Sequence, residues 1–121
     1  MALLELLQEQ DTLIATGGGL PIWEDNMNRM LAHGLVVYLR SPLDILAERL
    51  YRVRATRPAV AEKTRSEVRD YLEVISEKRE PYYSRAQVVV PIGHLRSAKE
   101  EREAAEQVIE AIRQYIEKRD A

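Results

Sequence analysis

A chain of 121 residues, 45% hydrophobic and 31% charged, is bounded to one globular domain with a modest core. With 18 Lys+Arg against 20 Asp+Glu its net charge is −2, which excludes the overall basic excess of a nucleic-acid or anionic-membrane binder. The lack of cysteine excludes disulfides and thiolate metal sites, and two distant histidines, His33 and His94, make no zinc pattern, so no transition metal is expected.

Leu3, Leu4 and Leu7 suit the last turns of an amphipathic helix that has no N-cap before them. The start of the chain has no basic region, Glu5 interrupts its leucines, and no apolar run approaches the ~18 residues of a spanning helix, so a cytoplasmic chain without membrane contact is expected. Thr12-Leu13-Ile14-Ala15-Thr16 reads as a buried strand running into Gly17-Gly18-Gly19. Glycines at the carboxyl end of a strand stand where an open α/β sheet binds ligands. They take φ > 0 freely and leave backbone N–H groups open to an oxyanion or hydroxyl. The triplet reads equally as a flexible turn, and glycines alone do not decide between the two.

Met27, Met30 and Leu31 predict a helix over about 24 to 33, stopped by Gly34, with His33 as a partner of its dipole. Trp23 is expected to pack into the core or a loop. Leu35-Val36-Val37-Tyr38-Leu39 is a second strand, and its continuous apolar run predicts a parallel sheet buried on both faces. Ser41 as N-cap, Pro42 at the first helical position and Asp44 near the dipole begin a helix that should bury Leu43, Leu46, Ala47 and Leu50. Arginines at 49, 52, 54 and 57 follow with no acid among them, before Pro58 and an aperiodic stretch to about Lys63. Thr64-Arg65-Ser66-Glu67 is a capping box for a helix carrying Val68, Tyr71, Leu72 and Ile75, interrupted at Glu80-Pro81 and followed by a helical turn at 82–85. Gln87-Val88-Val89-Val90 is a third strand. Ser97 caps a last helix whose buried face is read as Ala105, Val108, Ile109, Ile112, Tyr115 and Ile116. Strands alternating with helices predict an α/β domain, a parallel sheet flanked by helices.

Two arginines are candidates for chemistry. Arg57 reads either as a lid residue folding over a phosphate-bearing ligand or as a solvated surface side chain. Arg79, before Pro81-Tyr82-Tyr83, reads either as a planar fork gripping a carboxylate or as a cation on a helix C-terminus. His94 has no companion that would make it a base.

In combination, I-A-T-G-G-G at 14–19, L-V-V-Y-L at 35–39, S-P-L-D at 41–44, R-P at 57–58 and K-R-E-P-Y-Y at 78–83 resemble the C-terminal two-thirds of a shikimate kinase, from residue 3 to about 116. The resemblance implies a P-loop kinase fold of the nucleoside-monophosphate-kinase type. It also implies transfer of the ATP γ-phosphoryl to the 3-hydroxyl of shikimate with Mg2+, in the chorismate route to aromatic amino acids. On that resemblance Gly17, Gly18 and Gly19 contact shikimate, Arg79 grips its carboxylate, Arg57 is the lid arginine that reaches ATP and serves catalysis, and Arg96 lies near the adenine side. Residues 1–121 would then be one incomplete domain with a lid at about 52–63.

The family's phosphate cradle is not matched. There is no G-x-x-x-x-G-K-[ST] and no Gly-Lys dipeptide, and the lysines at 63, 78, 99 and 118 stand in polar or helical surroundings. The Asp-x-Asp pair is also lacking. In the family's strand order 2-3-1-4-5, this chain would supply strands 3, 4 and 5, so that 12–16 and 35–39 flank an empty slot with unpaired edges. The expectation is an N-terminally truncated kinase with little activity alone, its sheet completed by a second copy or a missing segment. The alternative is a non-catalytic α/β binding or interaction module derived from the family, and a kinase for another hydroxy acid is a third reading.

Overall fold

The chain's local signals produce two short strands and four helices among the described residues. The computed structural model describes Leu3, Leu7, residues 13–16 and residues 19–121. Helix α1 is Asn26–His33, β1 Val37–Arg40, α2 Leu43–Arg52, α3 Arg65–Tyr83, β2 Val88–Pro91 and α4 Ala98–Asp120, with 3-10 turns at Leu20–Ile22 and Arg54–Thr56. Leu3 and Leu7 are helical, as their spacing predicts; Thr12, Gly17 and Gly18 lie outside the described residues. No described helix is long and apolar enough to cross a membrane.

Strands β1 and β2 pair in parallel, Val37 opposite Val88 and Arg40 opposite Pro91, across a connection that holds α2 and α3. Alternation along the strands sorts the side chains. Val37 joins Val88, Val90 and Ile92 beneath Ala104, Val108, Ala111 and Tyr115 of α4. Tyr38 and Arg40 face the other way, onto Glu80 of α3. The result is an α/β domain with a parallel sheet flanked by helices.

Residues 13–16 form no strand, against the reading of 12–16, and Leu13 is 96% exposed. Strand propensity is realised only where a ladder partner exists. Among the described residues β1 pairs with β2 alone. Its other edge opens onto a cavity of about 690 Å3, bordered by Leu13, Ile14 and Thr16 and by Val36 to Leu39, with Met27, Met30, Val108 and Ile112 also in its lining. For the same reason the sheet is not buried on both faces: Leu39 and Val89 are exposed. Helix α4 is turned relative to the predicted face. The stripe 104, 108, 111, 115 packs on β2, its two alanines allowing close approach, while Ala105 and Ile116 are exposed and Ile109 is 56% exposed. Trp23, expected to pack into the core or a loop, is 62% exposed and does not belong to the core.

Helix ends follow their chemistry more closely. Pro42 is the N-cap of α2 rather than its first residue: at ψ 148° it is not helical, and its carbonyl accepts from the Leu46 N–H at 3.1 Å, leaving Ser41 outside without a cap bond. Helix α3 is not interrupted at Pro81 but runs through it to Tyr83. The proline forfeits only its own N–H, and the Ser84 N–H still reaches the Glu80 carbonyl at 2.9 Å. At the other end of α3 the capping box is complete, Glu67 N–H donating to Thr64 Oγ1 at 3.3 Å and Thr64 N–H to Glu67 Oε1 at 3.0 Å. Ser97 caps α4 by accepting from the Glu100 N–H at 3.2 Å.

The Thr64 cap gives a pH-dependent expectation. Hydrogen bonds from the Thr64 backbone and side chain hold the Glu67 carboxyl below its ordinary value. A depressed carboxyl stabilises the fold above its unfolded pKa of about 4.3, and that contribution disappears as pH falls through the lower folded value. Thr64→Ala should therefore cost about 1 kcal/mol in urea unfolding at pH 7, and less in strong acid. An equal cost at both pH values would show that the Thr64 hydroxyl does not act through the Glu67 charge.

Candidate functional site

Helix α3 places Tyr71, Leu72, Ile75 and Arg79 on one stripe, at offsets that align on a helix. That stripe faces Leu46, Arg49 and Leu50 of α2, and between the two helices lies a cleft of about 560 Å3 closed by Arg57, Pro58, Ala59 and Val60. Arg57 and Arg79, 22 positions apart in the chain by their numbers, therefore line the same cleft. Arg49 adds a third guanidinium; its Nη2 donates to the Gly93 carbonyl at 2.9 Å, just beyond the end of β2. The cleft thus opens beside the carboxyl end of the sheet, the usual ligand position in α/β folds. Among the described residues the side chains of Arg57 and Arg79 have no hydrogen-bond or ion-pair partner. Three cations beside an apolar floor of Leu46, Leu50, Leu72 and Ile75 suit a small anionic ligand with a hydrocarbon body.

The segment expected to be an aperiodic lid is folded. Val60 is only 1% exposed, its N–H donates to the Arg57 carbonyl at 3.0 Å, and the Lys63 N–H returns to the Val60 carbonyl at 3.0 Å. Both ends of the segment are stacked on one ring: the guanidinium carbons of Arg54 and Arg65 lie 3.7 and 4.3 Å from the Tyr51 centroid. Val60→Ala should loosen these turns by about 2 kcal/mol and speed amide exchange at Val60 and Lys63 while leaving α4 protected. Unchanged exchange at both amides would show that Val60 does not anchor the segment.

The other predicted residues fall elsewhere. Gly17 and Gly18 lie outside the described residues. Gly19 precedes the 3-10 turn with φ −83° and ψ −22°, and a Cβ there would meet nothing within 4 Å. The anticipated need for φ > 0 is therefore not met at Gly19, which lines neither cavity described. Arg96 is not among the residues lining the cleft: its Nη2 lies 3.9 Å from Glu48 Oε2 on α2 and its backbone N–H donates to Glu100 Oε2 at 3.3 Å. Glu48 is held below its usual carboxyl range first by its hydrogen bond from Arg52.

Two groups escaped the sequence reading. Asn26 is buried, and its Nδ2 donates to the Leu20 carbonyl at 2.9 Å, tying the turn after the glycines to the start of α1. A polar residue beginning a helix looks like an ordinary cap, so its burial carried no local signal. The second is Glu80, which receives a hydrogen bond from Tyr38 at 2.9 Å and faces Arg40 at 3.4 Å. That contact spans 42 positions and is invisible to local periodicity.

The family described as shikimate kinase matches residues 1–113. A shikimate kinase of Parabacteroides distasonis is 40% identical over 84 residues, 69% of this chain and 49% of that protein. One of Bacteroides thetaiotaomicron is 31% identical over 113 residues, 93% of this chain and 62% of that protein. A crystal structure of shikimate kinase from Bacteroides thetaiotaomicron superposes with a TM-score of 0.78 at 28% identity, covering 90% of this chain and 60% of its own. The chain spans about half to three-fifths of the length of these relatives.

Proposed function

Because this chain belongs to the shikimate kinase family, we propose that its arginine cleft is the acceptor side of a kinase that transfers the ATP γ-phosphoryl to the 3-hydroxyl of shikimate. The observation that carries this reading is the convergence of Arg57 and Arg79 on one cleft, each without a side-chain partner among the described residues. In it Arg79 grips the shikimate carboxylate through two parallel N–H···O bonds, which fixes the ring's orientation as well as its position. Arg57 turns toward the nucleotide and offsets charge on the transferring phosphoryl group. The resemblance assigns the glycine triplet to the ring hydroxyls and Arg96 to the adenine side; of these residues the described Gly19 and Arg96 do not line the cleft. Segment 52–63 is the lid, and ATP with a small hydroxy acid as substrates makes the cytoplasm the compartment of this reading.

The described residues contain no cluster of three or more His, Cys, Asp or Glu side chains that could hold a cation, and the sequence has no G-x-x-x-x-G-K-[ST]. The Ser or Thr that would hold Mg2+ in that loop is absent with it, and on this reading the chain's part is acceptor binding and the lid. A second reading, a non-catalytic binding module, is favoured by the edge of β1 over the 690 Å3 cavity, which has no strand partner among the described residues. On either reading the edge is completed by a further strand, from a second copy or from a segment bearing the phosphate loop.

Calorimetric titration with shikimate tests the acceptor site. Saturable binding that Arg79→Ala removes is expected. No heat from a folded wild-type chain would overturn the assignment.

A further inference from the structure

Helix α3 has a second face. Glu80, turned about 100° from Arg79, points to the sheet, where Tyr38 Oη donates to its Oε2 at 2.9 Å and Arg40 Nη2 lies 3.4 Å from its Oε1. The ring of Tyr83, one turn on, meets that of Tyr38 at 5.2 Å with a 53° tilt. Tyr38 and Arg40 stand two residues apart on β1, so a single strand holds both oxygens of one carboxylate. The backbone beside this contact is weak: Pro81, inside the helix, has no N–H to return to the Glu77 carbonyl, so the turn that carries Arg79 lacks one bond. Burial, and then the hydrogen bond to Glu80, push the Tyr38 phenol up to about 12.

We propose that Tyr38 and Arg40 are positioning residues: by holding Glu80 against β1 they set the rotation of the last turns of α3 and so the direction in which Arg79 enters the cleft. A bidentate grip needs its fork held within roughly 10–20°, and a helix short of one backbone bond does not supply that alone. The side-chain tie replaces the missing constraint. The proposal deepens the acceptor-site reading and rests on it for the ligand, whereas the tie itself is a property of the chain.

Two readouts separate these layers: the rate at which phenylglyoxal modifies Arg79, followed by peptide mass spectrometry, and the calorimetric Kd for shikimate. In Glu80→Ala the Arg79 rate should change about fivefold, the equilibrium shift carried by one ordinary hydrogen bond, and shikimate should bind about tenfold more weakly, while the Arg57 rate stays constant. Tyr38→Phe should move both readouts in the same direction by less. Glu80→Gln, whose amide oxygen still accepts from Tyr38, should recover most of the loss. A lowered Tm with Arg79 reactivity and shikimate affinity unchanged in these variants overturns the proposal. If Glu80→Ala fails to fold, Tyr38→Phe and Glu80→Gln decide it by the same comparison. A shifted Arg79 rate in a chain whose wild type takes up no shikimate upholds the tie and removes the acceptor reading instead.

Discussion

Arg79→Ala is expected to weaken shikimate binding by about 30- to 1000-fold, the roughly 2–4 kcal/mol lost when one partner of a desolvated, hydrogen-bonded charge pair is truncated. The size of the effect follows from where Arg79 sits. It is half-buried at the end of the stripe Tyr71, Leu72, Ile75, with leucines of α2 opposite. A carboxylate bound there leaves bulk water, and on this reading the guanidinium fork of Arg79 makes the paired hydrogen bonds that offset its desolvation. Arg79→Lys keeps the charge as a single strongly hydrated point and should recover only part of the affinity. Exposed Arg57 is the internal comparison: Arg57→Ala should leave the shikimate Kd within about threefold and act instead on nucleotide binding, since an exposed cation contributes little to a ligand it does not grip. Equal losses in both variants would mean that the cleft attracts anions generally, without a dedicated carboxylate fork.

What could be read beforehand divides along the range of the interactions. The Thr64 and Glu67 box and the Ser97 cap were legible because each is closed within three residues, so propensity and structure answer to the same local bonds. The Arg-Pro and Arg-x-Pro-x-Tyr segments were legible as a pattern, but their meeting in one cleft depends on α2 packing against α3, which spacing does not encode. Residues 13–16 failed as a strand because a strand is a property of a pair. Val60, in a stretch without periodicity, is among the most buried side chains, since turns bury single residues without leaving a repeat. In α4, alanines 104 and 111 decided which face packs, although the isoleucines at 109 and 116 carry more apolar surface. Hydrophobicity reports what can be buried, while fit against Val88 and Val90 determines what is.

The largest effect is expected at the open edge of β1. On the kinase reading the chain alone should turn over shikimate at least about 10³-fold more slowly than when it is supplied with a strand, phosphate loop and helix, because phosphoryl transfer rests on positioning and charge stabilisation that the phosphate loop provides. That unit begins with a strand, and among the described residues the second edge of β1 has no strand partner and lies beside an apolar cavity whose lining includes Leu39, Val108 and Ile112. A strand seated there parallel to β1 would deliver its loop at the carboxyl end of the sheet, the end beside which Arg49, Arg57 and Arg79 line their cleft. The measurement is a coupled ADP-release assay on the pure chain, with and without a separately expressed segment of the Bacteroides thetaiotaomicron relative that carries its phosphate loop, alongside size-exclusion chromatography. Turnover that appears only in the mixture, and is lost when Leu39→Lys puts a charge on the edge, supports completion by a strand. Robust turnover by the chain alone would remove the need for the added loop. A stable dimer that neither gains activity nor binds the segment would assign the edge to a second copy and favour the binding-module reading.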